Sequence, residues 1–210
     1  MNGSMTMKEI LAPIAWPMLL SATLFLTYCG FQTTYDKEAV ILLAYALLAI
    51  GIHLFEKYMP HEKSWQANDD QITNDLLHTV LGAALPDFLA TAVVSLLFTS
   101  LAVSLTAHFA HSFWPKTWFV PAQVCLALVV ADFGLYWAHR IAHETMLFWR
   151  FHALHHSPNR LYILNTGRFH FVGSFKSSLL RLPLLVTLEP PEEIILWYAA
   201  VFNFVGIQSH

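Results

Sequence analysis

Five histidines stand close together in the second half of the chain, at spacings that place side chains on one face of a helix. His139 and His143 are four residues apart, and they are followed by His152, His155 and His156. Residues three or four apart are neighbours on a helix surface, so each group can direct several imidazoles toward one ion. Imidazole binds zinc, iron, copper and nickel alike, so the pattern predicts a metal site without selecting the metal.

The number of histidines narrows the kind of site. Catalytic zinc usually takes three protein ligands, so five imidazoles favour two metals, or one metal shared with ligands from elsewhere. Asp132 lies seven residues before His139, two turns earlier on the same helix face. This carboxylate is a candidate for orienting an imidazole or balancing the metal charge. The alternative is a carboxylate hydrogen-bonded to a neighbouring helix.

Composition places these histidines in a membrane protein. The 210-residue chain is 56% hydrophobic and 12% charged, against about 45–50% and about 25% for a soluble domain. A chain of this length cannot bury so much apolar surface, so lipid must cover part of it. The net charge of −3 argues against a nucleic-acid partner, which would require a basic face. We therefore expect an all-α, integral-membrane helical bundle.

Four apolar stretches approach the ~20 residues that a helix needs to cross a bilayer. They are Leu11–Gly30, Ala39–Phe55, Leu85–Phe109 and Trp118–Trp137. Pro86 and Asp87, near the start of the third stretch, are expected at the membrane interface. The first stretch is long for a signal peptide and is predicted to be an uncleaved span. Two shorter stretches, Leu179–Leu188 and Ile194–Ile207, are predicted to be interfacial or re-entrant helices.

Lysine and arginine predict the orientation. With the N-terminus in the cytoplasm, nine of these residues lie in inside segments and two, Lys37 and Lys116, lie outside. This positive-inside bias places the histidines in the cytoplasm, on the inner membrane if the protein is bacterial. We divide the chain into residues 1–84, with two spans and a connector, and residues 85–210. Cys29 and Cys125 form neither a zinc spacing nor a disulfide framework.

The histidine region resembles the fatty acid hydroxylase/sterol desaturase superfamily of integral-membrane oxygenases. The resemblance rests on an HxxxH signature at His139–His143 and an HxxHH signature at His152–His156. The run from Asp132 to Trp137, the Arg168-Phe-His170 segment and the stretch from Asn203 to His210 are similar to the superfamily as well. The likeness covers about residues 85–210, and the two histidine signatures together make it specific.

The resemblance implies a cytoplasm-facing di-iron site that uses molecular oxygen to hydroxylate or desaturate a lipid C–H bond. Its iron ligands would be His139, His143, His152, His155, His156 and His210, with His170 as a possible additional ligand. It also implies a separate electron donor, a reductase with a ferredoxin or cytochrome. The superfamily has a further HxxHH signature downstream, so we expect this chain to be a C-terminally truncated form whose metal site is incomplete.

Three alternatives remain open from the residues. A membrane zinc hydrolase would need a general base, and Glu144 directly follows His143, although the chain has no HExxH motif. A non-catalytic metal-binding fragment is the second alternative. Haem ligation is the third, although haem would require histidines on separate facing spans. The substrate could be a sterol, a fatty acyl chain, an ether lipid or a carotenoid.

Overall fold

The computed structural model describes residues 7–67 and 70–208, and the regular elements of these residues are all helical. The α-helices are α1 Met7–Phe31, α2 Lys37–Tyr58, α3 Ile72–Leu77, α4 Leu85–Phe109, α5 Val120–Glu144, α6 Met146–His152, α7 Phe171–Thr187 and α8 Glu192–Gln208. A π-helical segment, His78–Ala84, joins α3 to α4, and short 3₁₀ turns cover Lys63–Gln66 and Ile163–Asn165. The all-α prediction is confirmed.

Four of the described helical stretches are long and apolar enough to cross a membrane. They are Leu11–Phe31, Lys37–Tyr58, Ile72–Phe109 and Val120–Glu144. Their surfaces expose large apolar side chains, such as Leu42 at 70%, Leu96 at 79% and Val129 at 67%. Apolar surface on this scale is unfavourable in water and suits contact with lipid chains. The predicted bundle of about four spans is confirmed.

The third span begins earlier than predicted. Its helix starts at Ile72 rather than Leu85 and continues for 38 residues through the π-helical segment. Pro86 therefore lies inside a continuous helix and not at the start of the span. Proline has no backbone N–H to donate, and the wide π turn before it accommodates a residue that would break a regular α-helix.

Asp87 is paired with α7, which explains how a carboxylate is tolerated inside this helix. Its Oδ1 accepts hydrogen bonds from Ser178 Oγ at 2.5 Å and from Arg181 Nη2 at 2.6 Å. Ionisable residues within spans usually pair with one another, because an isolated charge in the bilayer is costly. The prediction that Asp87 lies at the interface missed this partner, which is 94 residues away in the chain.

Helix α7 packs against α4 and α5 within one compact unit, which contains residues 70–160 and 164–198. Gly134 of α5 meets the carbonyl oxygen of Leu180 so closely that a side chain would not fit. Most of the buried residues of α5 are alanines, including Ala127, Ala131 and Ala138. Small residues let the backbones of membrane helices approach closely, which explains the tight contact between α5 and α7.

A second compact unit contains residues 7–67, 161–163 and 199–208. Within it α1 packs against α2, and Glu56 near the end of α2 accepts a hydrogen bond from the Ile163 backbone N–H at 2.6 Å. Asp36 caps the N-terminus of α2 by accepting a hydrogen bond from the Ala39 backbone N–H at 2.8 Å. This capping interaction is typical of helix starts and fixes where the second span begins.

Candidate metal centre

The last two turns of α5 present the first two histidines. His139 and His143 lie one turn apart with ring centroids 4.6 Å from each other. Ala138 and Ala142 are buried on another face, so packing holds the helix while the imidazoles remain exposed. The helix ends at Glu144 because Thr145 adopts an extended conformation, and α6 begins directly afterwards at Met146. This sharp corner brings the second group of histidines back toward the first.

The second group does not lie on one helical face as predicted. Helix α6 ends at His152, and the residues that follow form a turn in which the His155 backbone N–H donates to the His152 carbonyl at 2.9 Å. Pro158 follows closely and cannot continue a helix, because it lacks an N–H and disfavours a helical preceding residue. His155 and His156 are therefore carried by a turn.

Four imidazoles nevertheless converge on one point. Among the described residues, His139, His143, His152 and His156 each offer a ring nitrogen, and these nitrogens all lie within 4.8 Å of one another. The Nε2 of His152 is 3.2 Å from that of His143 and 3.1 Å from that of His156. Nitrogens that bind one metal at about 2.1 Å lie roughly 3.0–3.4 Å apart at tetrahedral or octahedral angles. The four-histidine cluster therefore fits a metal ion.

The surroundings lower the pKa of two of these imidazoles, His152 and His156. Burial, together with smaller repulsions from the neighbouring histidines, lowers the pKa of His152 to about 3. Burial and His143 also lower the pKa of His156. A histidine must be neutral to bind a metal, because only the unprotonated nitrogen has a lone pair to donate. At neutral pH these two imidazoles offer their nitrogens without first losing protons.

His155 lies beside the cluster but is not one of the four. Its ring stacks on Phe169 with centroids 4.4 Å apart and an interplanar angle of 11°. Its centroid is 5.2 Å from that of His156 and 5.6 Å from that of His152. The assignment of His155 as a ligand stays a prediction.

The remaining predicted site residues occupy three different places. His170 caps the start of α7, where its Nδ1 accepts a hydrogen bond from the Val172 backbone N–H at 3.2 Å. Asp132 is exposed and stands apart from the nitrogens that converge. Its charge acts on Tyr198, whose pKa is raised mainly by burial and further by Asp87 and Asp132. His210 lies outside the described residues. The roles of these residues stay predictions.

Lys176 is a residue near the cluster that the sequence reasoning missed. Its Nζ donates a hydrogen bond to the Ala138 carbonyl at 2.6 Å and lies 5.0 Å from the centroid of the Phe148 ring. Burial lowers the pKa of this lysine. The side chain thus ties α7 to α5 and α6, the two helices that carry ligands. In the sequence, the signal that could have identified this residue is a lysine near the start of an apolar helix.

The π-helical segment holds another part of the surroundings. Gly82 lies directly against the Phe169 carbonyl, with no room for a side chain, and His78 Nδ1 is 3.2 Å from the same oxygen. Gly167 packs equally closely on Thr79. These contacts fix the backbone that presents Phe169 to His155. π-helical turns are often found at functional sites, and here the turn supports the residues beside the cluster.

The fold and the cluster together define a helical membrane protein with four converging histidines that could hold a metal ion. Residues 124–210 match the fatty acid hydroxylase family model. The chain is 41% identical over 213 residues to the ornithine lipid hydroxylase OlsE of Rhizobium tropici, which covers 100% of this chain and 63% of that protein. Residues 124–210 are therefore similar to the fatty acid hydroxylase family, which confirms the predicted resemblance.

More distant relatives match a smaller part of the chain. Alkylglycerol monooxygenase of Danio rerio is 34% identical over 83 residues, which is 40% of this chain and 18% of that protein. The Homo sapiens alkylglycerol monooxygenase is 32% identical over 76 residues, or 36% of this chain and 16% of that protein. No solved structure matches the chain significantly. The chain thus spans less than two thirds of the length of each of these relatives.

Proposed function

We propose that this protein is an iron-dependent lipid hydroxylase that consumes molecular oxygen. The observation that carries the proposal is the convergence of four imidazole nitrogens within 4.8 Å at the end of a membrane-spanning helix. The relatives named as an ornithine lipid hydroxylase and as alkylglycerol monooxygenases support this class of reaction. They favour hydroxylation over desaturation, since their names describe insertion of oxygen.

In this proposal His139, His143, His152 and His156 hold iron, and His155 and His210 complete a site for two irons. Bound iron with molecular oxygen supplies the oxidant that an unactivated C–H bond requires. The protein contributes neutral ligands and a fixed geometry. Lys176 keeps α5 and α6 together through its contacts with Ala138 and Phe148. Trp149, whose ring lies 5.8 Å from that of His156 at 25°, covers one side of the cluster.

The substrate in this proposal is a membrane lipid. Cluster histidines lie in the last turns of the fourth span, close to where the hydrocarbon core meets the head groups. A lipid can therefore place a carbon of its chain at the cluster while its head group stays in the polar region. Electrons would come from a separate donor, a reductase with a ferredoxin or cytochrome. The lysine and arginine distribution supports a cluster on the cytoplasmic side in this proposal.

The proposal can be tested by measuring metal content and oxygen insertion together. Protein purified in detergent is expected to contain about two irons per chain, and membranes incubated with ¹⁸O₂ and reductant should yield a lipid heavier by one ¹⁸O atom. His152→Ala should abolish both signals, because the Nε2 of His152 lies closest to two other ligand nitrogens. His61→Ala, at an exposed histidine outside the cluster, is the matched control and should leave both unchanged.

The competing zinc hydrolase predicts a different result. The purified protein would contain stoichiometric zinc and no iron, and it would cleave a lipid without incorporating ¹⁸O from the gas. These results would overturn the proposed hydroxylase function. The structure gives that alternative little support, since Glu144 is paired with Arg140, Nε to Oε1, at 2.8 Å. A carboxylate engaged in this way is less available as a general base.

A further inference from the structure

A polar cavity of about 310 Å³ adjoins the histidine segment. Six of its lining residues matter here, and they come from the start of α3 and from the loop between α6 and α7. They are Gln71, Asp75, Ser157, Arg160, Asn165 and Arg168, and we call this cavity the arginine pocket. Neither the metal site nor the proposed chemistry makes use of it.

The walls of the arginine pocket are held in place by buried polar contacts. The Asp75 side chain is 1% exposed and that of Arg168 is 14% exposed, and Arg168 Nε lies 3.1 Å from Asp75 Oδ1. Arg168 Nη2 also donates to Gln71 Oε1 at 3.0 Å. The buried side chain of Asn165 donates to the Arg160 carbonyl at 2.7 Å. The Arg168 guanidinium and the backbone at Arg160 are therefore oriented before any ligand arrives, which lowers the entropic cost of binding.

The charge of the described lining favours an anion. Arg160 and Arg168 contribute two positive charges against the single negative charge of Asp75. A guanidinium presents a planar fork of N–H donors that matches the oxygens of a carboxylate or a phosphate. Amide and hydroxyl groups from Gln71, Asn165 and Ser157 surround these arginines. Such a lining suits a negatively charged, hydrogen-bonding group better than an apolar one.

The position of the pocket indicates where such an anion would come from. The pocket lies at the start of the third span, whereas the cluster lies at the end of the fourth. A loop of only ten residues, 110–119, joins these antiparallel spans, so both features lie at the same membrane face. Ser157 lines the pocket and directly follows His156, and adjacent Cα atoms are about 3.8 Å apart. Lipid head groups occupy this level of the bilayer.

We propose that the arginine pocket binds the anionic head group, a carboxylate or a phosphate, of the membrane lipid whose carbon is oxidised at the cluster. The statement that the bound lipid is the substrate rests on the proposed hydroxylase function, whereas the binding of an anionic head group does not. Because Ser157 of the pocket directly follows His156 of the cluster, we expect the oxidised carbon on the head-group side of the lipid and not at the far end of the chain.

Binding can be measured without turnover by titrating amphiphiles that share one chain length into the purified protein in maltoside micelles. The probes are N-dodecanoylglycine, dodecyl phosphate and the neutral monododecanoylglycerol. Their binding is measured by calorimetry. At least one anionic probe should bind about tenfold more tightly than the neutral one, and the stronger of the two identifies the preferred anion. Acetate and inorganic phosphate, titrated alone, distinguish a lipid head group from a free ion.

Two variants address the pocket and one serves as the control. Arg160→Gln should remove most of the difference between anionic and neutral probes. Asn159→Asp adds a negative charge at an exposed position of the pocket lining, so it should weaken anion binding about fivefold without disturbing folding. Lys116→Gln removes an equal charge from an exposed side chain in the loop between α4 and α5, and it should bind like the unaltered protein.

Three results would overturn the proposal: equal binding of neutral and anionic probes, unchanged anion binding in both pocket variants, or binding of inorganic phosphate or acetate but not of the amphiphiles. The proposed function fails separately. If the protein binds anionic amphiphiles through Arg160 but never inserts oxygen, the head-group site is supported and the hydroxylase function is contradicted. If it inserts oxygen but does not distinguish anionic from neutral amphiphiles, the hydroxylase function is supported and the head-group site is contradicted.

Discussion

At the scale of single residues, the decisive feature is the mutual distance of the ligand nitrogens. The Nε2 atoms of His143 and His152 are 3.2 Å apart, and those of His152 and His156 are 3.1 Å apart. These distances leave room for an ion between the nitrogens. They come from the end of α5, the end of α6 and the turn after it. A metal that binds here therefore links three segments, which should make folding stability depend on metal.

Metal removal should lower the stability of the folded protein. A ligand that binds only the folded state at 100 times its Kd adds about 2.7 kcal/mol to the free energy of unfolding. Chelation is therefore expected to lower the thermal midpoint in detergent, and added Fe²⁺ should restore it. His143→Ala should show the low midpoint in both conditions, whereas His61→Ala should respond to Fe²⁺ normally. A midpoint that ignores Fe²⁺ in the unaltered protein would contradict the cluster as a metal site.

Part of the site could be predicted from spacing alone. His139 and His143 lie on one helix, so the spacing of four residues determines their relation. The spacing of His152 and His156 also agrees with their convergence, since their Nε2 atoms lie 3.1 Å apart, although a turn before Pro158 replaces the continuous helix that the pattern assumed. His155 is not one of the four, and its ring stacks on Phe169, a residue distant in the chain. No local pattern contains that contact.

At the scale of elements, the contact between α5 and α7 depends on one glycine. Gly134→Ala would place a methyl group against the Leu180 carbonyl, so the helices must separate. Overpacking of this kind typically costs about 1–3 kcal/mol. The thermal midpoint should fall by several degrees, and metal content should fall with it because α5 carries two ligands. Gly206→Ala is the matched control, since an added methyl group there meets nothing within 4 Å.

The pair between Asp87 of α4 and Arg181 of α7 makes a second prediction for the elements. The Arg181 side chain is 9% exposed, so Arg181→Leu leaves Asp87 inside a span with Ser178 but without its positively charged partner. Breaking a buried pair costs about 3–5 kcal/mol, and the partial exposure of Asp87 reduces this figure. Thermal denaturation should show a clear loss for Arg181→Leu and a partial recovery when Asp87→Leu is added. A double variant no more stable than the single one would refute the pairing.

Some features of the helices could not be predicted from the sequence. Hydropathy found the apolar part of the third span, but residues 72–84 contain too many polar side chains to register as membrane helix. The π turn is invisible to any pattern, because it depends on Gly82 and Gly167 packing on residues far along the chain. The pairing of Asp87 with Arg181 could not be predicted from the sequence either, because the two residues are 94 positions apart. Periodicity identifies helices, whereas their partners come from long-range packing.

At the scale of the whole molecule, composition was sufficient to predict a membrane protein with four spans. Orientation remains a prediction, and it can be tested with single cysteines after Cys29 and Cys125 are replaced by serine. In intact cells a membrane-impermeant maleimide should label Lys116→Cys but not Lys63→Cys, which should react only once the membrane is opened. Both positions are exposed, so access depends on sidedness. The reverse labelling pattern would invert the orientation.

The short stretch of chain that holds the cluster has a consequence for biogenesis. All four converging histidines lie within the eighteen residues from His139 to His156, and the corner at Thr145 is enough to bring them together. Contacts between residues close in sequence form early and quickly, because little chain entropy is lost. The ligands can therefore meet as soon as α5 has entered the membrane and α6 has emerged from the ribosome. Metal capture at that moment would give α7 a completed surface on which to dock.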